Sequence, residues 1–407
     1  MSVGVSAAHP TGASGRHPDA FRRYVGALVL LTSTFFLNFM ARIVQAPLMP
    51  TIEKELGLSH SAAGALFLTV SAGYFATLLG SGFVSARLNH HRTIVLSSVL
   101  VGVALLATTY SRSALGLHLG LLSVGLAAGL YLPSAIASLM GFVSSQHWGK
   151  AIAIHEAAPN LSFVLAPLFA EAVLAFSSWD VALRILGFGS LVAGGLFAWF
   201  GRIGAFAGEA PHFASLRVLF SAPSYWIMVA LFSLGISGSY GIYTMLPLFM
   251  VSGHGLERDF ANMLLAASRI PGVIMAFAGG WLSDRIGPKK TLTIVFVLNG
   301  LLTVVLGTAP ASWLPYLVSI QPMLSVCFFP AGFAALSMAT PSGARHIAVS
   351  LTTPFAFIVG GGLVPALIGA LGDAYSFAAG ISMVGVLILS GGVISSFLPT
   401  GRRPGGG

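Results

Sequence analysis

The chain has 407 residues and a formal net charge of +9; 56% of its residues are hydrophobic and only 8% are charged. Soluble domains carry roughly 25% charged residues, so this composition excludes a water-soluble globular protein and indicates that the lipid bilayer is the solvent. The positive charge then needs no nucleic acid as a partner. The single cysteine, Cys327, excludes an internal disulfide and a cysteine-based metal site.

The N-terminal residues are polar and lack the apolar core of a signal peptide, which predicts a disordered cytoplasmic tail at 1–21. Apolar runs follow, each near the roughly 20 residues that a helix needs to cross a bilayer. The fold prediction is an all-α membrane protein with twelve transmembrane helices. The predicted runs are 24–49, 60–84, 93–111, 114–142, 151–177, 182–201, 225–250, 260–283, 291–309, 312–338, 346–371 and 376–398.

One break between the runs is longer and more polar than the others, and it contains Glu209 and Arg217. It predicts a cytoplasmic linker between two six-helix bundles. The predicted domains are an N-terminal bundle at 22–202, the linker at 203–222, a C-terminal bundle at 223–399 and a cytoplasmic tail at 400–407.

The basic residues of the loops set the predicted orientation, because cytoplasmic loops carry an excess of Lys and Arg. With the N-terminus inside, fourteen basic residues lie on the cytoplasmic side and four lie outside, the latter being Lys54, Arg112, Arg184 and Arg258. The even helix count places both termini in the cytoplasm. The prediction is a multi-pass protein of the cell inner membrane.

A repeated segment relates the two predicted bundles. The stretch GFVSARLNHHR begins at Gly82 and the stretch GWLSDRIGPKK begins at Gly280, 198 residues later. Two similar halves imply a pseudo-two-fold axis along the membrane normal, with a binding site near the midplane at the interface of the halves.

The second of these stretches resembles the loop signature of the major facilitator superfamily, and the twelve runs with a central linker extend the resemblance over nearly the whole chain. The resemblance implies a transporter in which two halves alternate around a central site. It also implies a conformational latch made by Gly280, Asp284, Arg285 and Gly287. Alternatively, this stretch is only a positively charged loop. The first copy departs from the signature, because Ala86 and Asn89 replace an Asp and a Gly.

Two arginines carry a narrower resemblance. The segment from Arg42 to Pro50 is similar to the first helix of the organophosphate and organic-anion branches, which use a helix-1 arginine for anion binding. Ala41 stands where the organic-anion branch often has an acid. Arg269 lies in the eighth run. In having an arginine there, the chain resembles the oxalate, nitrate and monocarboxylate carriers of the superfamily.

The residues themselves support an anion site. A charge inside a membrane costs about 3 kcal/mol on insertion scales, so each arginine needs a partner. Asn38 and Gln45 share a helical face with Arg42, and Asn262 shares one with Arg269. Guanidinium is always charged and binds carboxylate or phosphate with paired donors, so two of them favour an anionic substrate. The alternative is a structural pair with a carboxylate.

The titratable residues of the core are few. His155 and Glu156 are the candidate proton carriers, since histidine titrates near neutrality. Alternatively, Glu156 neutralises an arginine or braces a gate. The hydroxyls of Tyr131, Tyr240 and Tyr243 are candidates for hydrogen bonds to a bound carboxylate, although such hydroxyls also join helices.

Together these features predict secondary transport of a small organic anion by H⁺ symport or anion exchange. The anion is expected to be either a carboxylate, such as a monocarboxylate, or a phosphate ester. The expected partners are that anion, the bilayer and H⁺ or a counter-anion, and the expected state is a monomer. The alternatives are drug or lipophile efflux by H⁺ antiport and a non-transporting membrane sensor. An enzyme is not expected, because the sequence has no catalytic grouping, phosphate loop, cofactor motif or metal spacing.

Overall fold

The computed structural model describes residues 21–209, 219–340 and 345–398. Within them, twelve helices are long and apolar enough to cross a membrane, and the described chain contains no strand, which confirms the predicted fold class. The helices are α1 Arg22–Leu56, α2 His60–Leu88, α3 His90–Thr108, α4 Ala114–Phe142, α5 Ser145–Leu174, α6 Trp179–Phe200, α7 Pro223–Gly253, α8 Arg258–Ile286, α9 Pro288–Thr308, α10 Ala311–Ala339, α11 Ala348–Ala374 and α12 Phe377–Ser396.

The predicted tails and the middle of the predicted linker, residues 1–20, 210–218 and 399–407, lie outside the described residues. Helix α1 extends seven residues beyond its apolar run because polar residues continue the helix as far as Gly57, which ends it with a φ of 62°. Within α1 the helix divides at Val44, three residues before Pro47, whose ring removes one backbone donor.

The two halves have equivalent close contacts between their helices. In the first half α3 packs on α6 through Gly102 and Gly187, where a Cβ added to Gly102 would lie 2.7 Å from the Gly187 carbonyl oxygen. In the second half α9 packs on α12 through Gly300 and Gly385, where a Cβ added to Gly300 would lie 2.9 Å from the Gly385 carbonyl oxygen. Each glycine of the first half is 198 positions from its counterpart, the same offset as in the repeated stretches.

The turns that follow α2 and α8 are equivalent as well. Gly287 between α8 and α9 has a φ of 89°, and Asn89 between α2 and α3 has a φ of 71°. Asn89 is the one described residue other than glycine with a positive φ. Its side-chain oxygen accepts a hydrogen bond from the Arg92 backbone N–H at 2.9 Å and so caps α3. The first-half copy therefore keeps the backbone geometry of the turn although its sequence departs from the signature.

These turns, and the linker segment 201–209, lie at one end of the bundle, here called the linker face; the other end is called the opposite face. The linker segment packs under the first half, where the Gly204 and Phe206 carbonyl oxygens accept hydrogen bonds from the His91 and His90 backbone N–H groups. The equivalent turns at Asn89 and Gly287 thus lie at the same face as the linker segment.

Two helices of the second half contain π-helical segments that face each other. They are Ser237–Gly241 in α7 and Val359–Leu363 in α11. A Cβ added to Gly241 would lie 2.3 Å from the Gly360 carbonyl oxygen, so the two segments touch backbone to backbone. A π-helical turn shifts the hydrogen-bond ladder and frees carbonyl oxygens for other donors, and such turns are frequent at functional sites.

Candidate functional site

Arg42 lies where helices of both halves meet. Only 3% of the Arg42 surface is exposed. The guanidinium carbon lies 4.1 Å from the ring centroid of Tyr74 on α2, 4.9 Å from that of Phe39 and 5.8 Å from that of Phe357 on α11. A cation over aromatic faces at these distances is attracted by the ring quadrupoles, by about 0.5–2 kcal/mol for each contact. Aromatic rings from α1, α2 and α11 therefore hold the Arg42 cation.

Arg269 is held by α7 and α5. Its Nη2 donates a hydrogen bond of 2.8 Å to the Ser239 carbonyl oxygen, which belongs to the π-helical segment of α7. The guanidinium carbon lies 4.7 Å from the ring centroids of both Phe163 on α5 and Tyr243 on α7. The adjacent Gly238 carbonyl oxygen accepts a hydrogen bond from Gln321. The π-helical segment thus supplies two consecutive carbonyl oxygens as acceptors.

A continuous set of rings joins the two arginines. The Phe39 and Phe163 centroids are 5.4 Å apart, and each lies 6.2 Å from the centroid of Tyr240. Tyr240 also packs on Phe357 at 5.5 Å. Arg42, Tyr74, Tyr240 and Phe357 line one small cavity together with Val70 and Ser71. The wall of this region is thus mostly aromatic and contains side chains from both halves.

Neither arginine has an acidic partner. Within the described chain, no Asp or Glu oxygen lies within 4.0 Å of a guanidinium nitrogen of Arg42 or Arg269. The Nε atom of each is buried and has no hydrogen-bond partner. A buried donor without an acceptor costs about 1–3 kcal/mol, and more when it is charged. Each guanidinium therefore retains a donor edge that suits an anion.

The amides predicted beside the arginines make other contacts. Asn38 donates to the Ala128 carbonyl oxygen at 3.3 Å and to the Ser97 hydroxyl at 3.4 Å, inside the first half. Gln45 donates to the Ala41 carbonyl oxygen of its own helix at 2.9 Å. Asn262 lies two turns from Arg269 toward the opposite face, where it contacts the first half. These three side chains support the helices around the arginines in this conformation.

His155 is central to a hydrogen-bonded group on α4 and α5. Its Nε2 lies 3.2 Å from the Tyr131 hydroxyl, and its Nδ1 lies 3.1 Å from Oε1 of Glu156. The Tyr131 hydroxyl donates to the Leu31 carbonyl oxygen of α1 at 2.7 Å. The Phe35 ring stacks on His155 with centroids 4.4 Å apart. His155 is fully buried, whereas 47% of the Glu156 side chain is exposed.

Two arrangements of the protons fit these contacts. In the first, the single Tyr131 hydrogen is donated to the Leu31 carbonyl oxygen and His155 Nε2–H donates to the Tyr131 oxygen. A neutral His155 then has a bare Nδ1 facing the Glu156 carboxylate, and that contact is favourable only when one extra proton lies on Nδ1 or on the carboxylate. Without this proton, Nδ1–H donates to Glu156 and the Tyr131 hydroxyl turns to His155 Nε2.

Polar contacts cross between the halves at the opposite face. Glu171 on α5 accepts hydrogen bonds from Arg258 on α8 at 2.9 and 3.3 Å, and from the Asn262 amide at 2.6 Å. The Asn262 amide also donates to the Pro47 carbonyl oxygen, and Arg258 donates to the Thr51 hydroxyl. This group of five residues is called the α5–α8 lock.

A second contact between the halves lies at the same face. The Asp373 carboxylate at the end of α11 accepts hydrogen bonds from the His60 and Ser61 backbone N–H groups at 3.0 and 2.8 Å. These are free N–H groups of the first turn of α2, whose positive end favours an anion. The His60 Nδ1 also contacts Glu53 at 3.0 Å. The opposite face is therefore closed by two groups of polar contacts.

The residues of the predicted latch lie at the linker face. Asp284 and Arg285 are exposed, and the Arg285 guanidinium lies 4.8 Å from the ring centroid of Trp281. Gly287 provides the left-handed turn described above, and a Cβ on Gly280 would meet only Pro330 at 3.7 Å. Lys289 donates to the Ser396 and Leu398 carbonyl oxygens at the end of α12. Lys289, one of the basic residues of the stretch that begins at Gly280, thus joins α9 to the end of α12 within the second half.

In the part of the chain that the structure describes, no group of three or more His, Cys, Asp or Glu side chains is placed to hold a metal ion.

In the described residues, twelve spanning helices form two related halves with two arginines at their interface that have no acidic partner there, an arrangement typical of a multi-pass membrane transporter. A family model described as Major Facilitator Superfamily matches residues 31–324, more than two thirds of the chain. The chain belongs to the Major Facilitator Superfamily.

Several members of known or assigned activity are similar to this chain. The probable sulfoacetate transporter SauU of Cupriavidus necator is 23% identical over 320 residues, which are 72% of this chain and 74% of that protein. The 4-hydroxybenzoate transporter PcaK of Pseudomonas putida is 23% identical over 390 residues, 86% of this chain and 85% of that protein. The multidrug efflux protein YfmO of Bacillus subtilis is 23% identical over 377 residues, 87% of this chain and 88% of that protein.

Among solved structures, a bacterial homologue of the human lysosomal transporter Spinster, in an inward-facing and occupied conformation, superimposes with a TM-score of 0.80. The two sequences are 15% identical, and the match covers 93% of this chain and 97% of that one. This likeness agrees with the fold described above.

Sequence reasoning missed the α5–α8 lock and the rings around the arginines. Arg258 was predicted only as a charge of an outer loop, but the structure pairs it with Glu171 of α5 across the halves. The sequence contained one indication of this pair, since both residues lie near the ends of spans on the same side of the membrane. Phe39 shares a face of α1 with Arg42, but Tyr74 and Phe357 reach it from other helices.

Proposed function

We propose that this protein is a secondary transporter of a small organic anion, in which Arg42 and Arg269 bind the anionic group. One observation carries the proposal: each half contributes a guanidinium to the interface, and neither has an acidic partner within the described chain. In a medium of low dielectric constant an unpaired charge is costly, so a bound anion stabilises the site more than a neutral or cationic molecule does.

The chemistry of the relatives supports this substrate class. Sulfoacetate and 4-hydroxybenzoate, the substrates that two relatives' names give, share a carboxylate and have little else in common. A carboxylate accepts paired hydrogen bonds from the Nε and Nη edge of a guanidinium. The unpaired Nε of each arginine belongs to that edge. We infer a carboxylate as the group recognised.

The transport cycle follows from the interface between the halves. In this conformation the α5–α8 lock and the Asp373 contacts close the opposite face, while Glu156 on α5 remains exposed. Alternation requires the two halves to rock until the opposite-face contacts break. We propose that the linker face is cytoplasmic, as the loop charges indicate, and that one chain in the inner membrane completes the site as a monomer.

The His155–Glu156 pair is our candidate for proton coupling. One arrangement of its hydrogen bonds needs an extra proton between His155 Nδ1 and the Glu156 carboxylate, and Tyr131 connects the pair to α1, the helix that carries Arg42. Symport of the anion with H⁺ therefore has a site for each partner. Exchange of one anion for another uses the arginines alone, and the two modes differ in whether a pH gradient drives accumulation.

The test is counterflow in proteoliposomes with labelled sulfoacetate, 4-hydroxybenzoate, lactate, oxalate and glycerol 3-phosphate. We expect uptake of at least one of these anions, lost in Arg42→Ala and in Arg269→Ala. Arg184→Ala is the matched control, because Arg184 pairs with Asp180 at the opposite end of the first half. No uptake of any anion, or uptake that survives both core substitutions, would overturn the proposal.

The efflux protein among the relatives favours one second candidate, drug or lipophile export by H⁺ antiport. Glu156 is then the acid that exchanges a proton for the drug. This candidate predicts transport of cationic or neutral dyes that depends on Glu156 and continues in Arg269→Ala.

A further inference from the structure

The two arginines are joined by aromatic side chains rather than aliphatic ones. Phe39 and Phe163 are in contact, with centroids 5.4 Å apart, and Tyr240 packs on both. Tyr243 packs on Phe163 at 4.9 Å with its ring plane nearly perpendicular. These four rings, on α1, α5 and α7, are called the ring bridge.

Each arginine lies over aromatic rings and has an Nε without a hydrogen-bond partner. The guanidinium carbon of Arg42 lies over the rings of Tyr74 and Phe39, and that of Arg269 lies over the rings of Phe163 and Tyr243. The unpaired Nε of each lies at the edge of the guanidinium plane. A carboxylate bound to that edge lies in the guanidinium plane. Because these rings lie next to the guanidinium, the body of a ligand bound at that edge lies beside them.

We propose that the preferred substrate is a planar aromatic carboxylate, whose ring packs against the ring bridge while its carboxylate binds Arg42 or Arg269. This inference rests on the proposed function and narrows its substrate class. In an aromatic carboxylate the carboxylate is conjugated and coplanar with the ring, so edge-on binding keeps the whole molecule flat beside the rings. A saturated ring of the same size is thicker and has no π-face.

The energetic difference is measurable. Aromatic pairs in offset or edge-to-face geometry contribute about 0.5–1.5 kcal/mol beyond the area that they bury. At about 1.4 kcal/mol for each factor of ten, one such contact corresponds to an affinity ratio of roughly two to twelve. If the rings serve only to stack on the arginines, a flat ring and a saturated ring of equal size bind equally well.

The experiment compares benzoate with cyclohexanecarboxylate, which have the same charge and carbon count. Dissociation constants are measured by isothermal titration of the full chain in nanodiscs at pH 7.5, where both acids are anions and membrane leakage does not matter. We expect benzoate to bind at least about five-fold more tightly, the ratio for roughly 1 kcal/mol. Equal binding, or tighter binding of cyclohexanecarboxylate, would overturn the inference.

Variants locate the preference in the ring bridge. Tyr240→Leu and Phe163→Leu should bring the ratio close to one while cyclohexanecarboxylate still binds, whereas Tyr240→Phe, which keeps the ring, should retain the ratio. A ratio unchanged in both Leu variants would contradict the assignment to these rings. Thermal unfolding of each variant checks folding, and a variant that fails it is replaced by the other Leu variant.

The two proposals fail in different ways. If sulfoacetate or lactate binds in an Arg269-dependent manner but benzoate shows no advantage, the organic-anion proposal stands and the aromatic one is wrong. If no carboxylate binds, or binding is indifferent to Arg42→Ala and Arg269→Ala, the proposed function itself is wrong.

Discussion

The Glu171 carboxylate on α5 holds the Arg258 guanidinium on α8 through two hydrogen bonds of 2.9 and 3.3 Å, across the interface between the halves. Arg258, Asn262 and Arg269 are spaced along one face of α8, so the contact lies above the proposed anion site on the same helix. The lock therefore connects closure of the opposite face with the position of the helix that carries Arg269.

Glu171→Gln should weaken this closure. The substitution removes the carboxylate charge and one of the two oxygens that accept from Arg258, and a hydrogen bond to a charged group contributes about 1.5–3 kcal/mol. Because Arg258 is partly exposed and solvent screens the pair, we expect the population open at the opposite face to rise by about tenfold, which is roughly 1.4 kcal/mol. The measurement is the rate at which a membrane-impermeant thiol reagent modifies a cysteine placed at Ala266, in a Cys327→Ser background.

Arg184→Gln provides the control, since it breaks an ion pair with Asp180 inside the first half and leaves the interface intact. The double exchange Glu171→Arg with Arg258→Glu should restore slow modification. Equal modification rates in Glu171→Gln and the parent chain would mean that the lock does not hold the face closed.

The turns after α2 and α8 yield a prediction about stability. Asn89 has φ 71° and ψ 166°, a region that is essentially restricted to glycine and costs other residues about 1–3 kcal/mol. Asn89→Gly should raise the thermal unfolding temperature of the detergent-purified protein, since losing the cap to Arg92 costs only about a few tenths of a kcal/mol.

The reverse change tests the same geometry in the second half. Gly287→Ala, at φ 89°, should lower the unfolding temperature, whereas Gly280→Ala should not, because a Cβ there meets Pro330 at an ordinary 3.7 Å. Identical effects of the two alanine substitutions would show that backbone strain at Gly287 does not matter.

Much of the fold was predictable from the sequence, because hydropathy marks each span and the repeated stretches place the halves in register. The glycine pairs Gly102–Gly187 and Gly300–Gly385 keep the same offset, although no motif identifies them. The arginines were also predictable as buried charges in apolar runs. Their surroundings were not, because Tyr74 and Phe357 come from helices remote in sequence.

The π-helical segments show a second limit of sequence reasoning. Helical periodicity places Ser233, Ser237 and Thr244 on one face of α7, but their hydroxyls bond to carbonyl oxygens of α7 itself. The acceptor of Arg269 is instead the Ser239 main-chain carbonyl, which belongs to the π-helical segment. A main-chain group carries no sequence signal, so this contact needed the structure.

Gly241 tests the contact between the π-helical segments. Gly241→Ala places a Cβ 2.3 Å from the Gly360 carbonyl oxygen, so α7 and α11 must separate, at a cost of about 1–3 kcal/mol. We expect lower thermal stability and weaker anion binding, because α7 positions the acceptor of Arg269. Gly195→Ala is the control, since nothing lies within 4 Å of its Cβ. Unchanged anion affinity in Gly241→Ala would show that the contact between α7 and α11 does not affect the anion site.

Glu156→Gln tests proton coupling. Glutamine preserves the size and keeps a hydrogen-bonding group near His155 Nδ1, but it removes the carboxylate charge that the proposed proton coupling requires. We expect anion counterflow, which needs no net proton movement, to remain within about twofold of the parent chain. Accumulation driven by an imposed pH gradient should be lost, as followed with labelled anion and a pH-sensitive dye inside the proteoliposomes.

Tyr131→Phe separates coupling from simple packing. It keeps the ring that stacks on Phe35 but removes the hydroxyl that joins His155 to the Leu31 carbonyl oxygen of α1. If the hydroxyl transmits protonation to α1, this variant should bind the anion and lose gradient-driven accumulation, as Glu156→Gln does. If both variants accumulate the anion as the parent does, the His155–Glu156 pair is structural, and anion exchange becomes the transport mode that the arginines support.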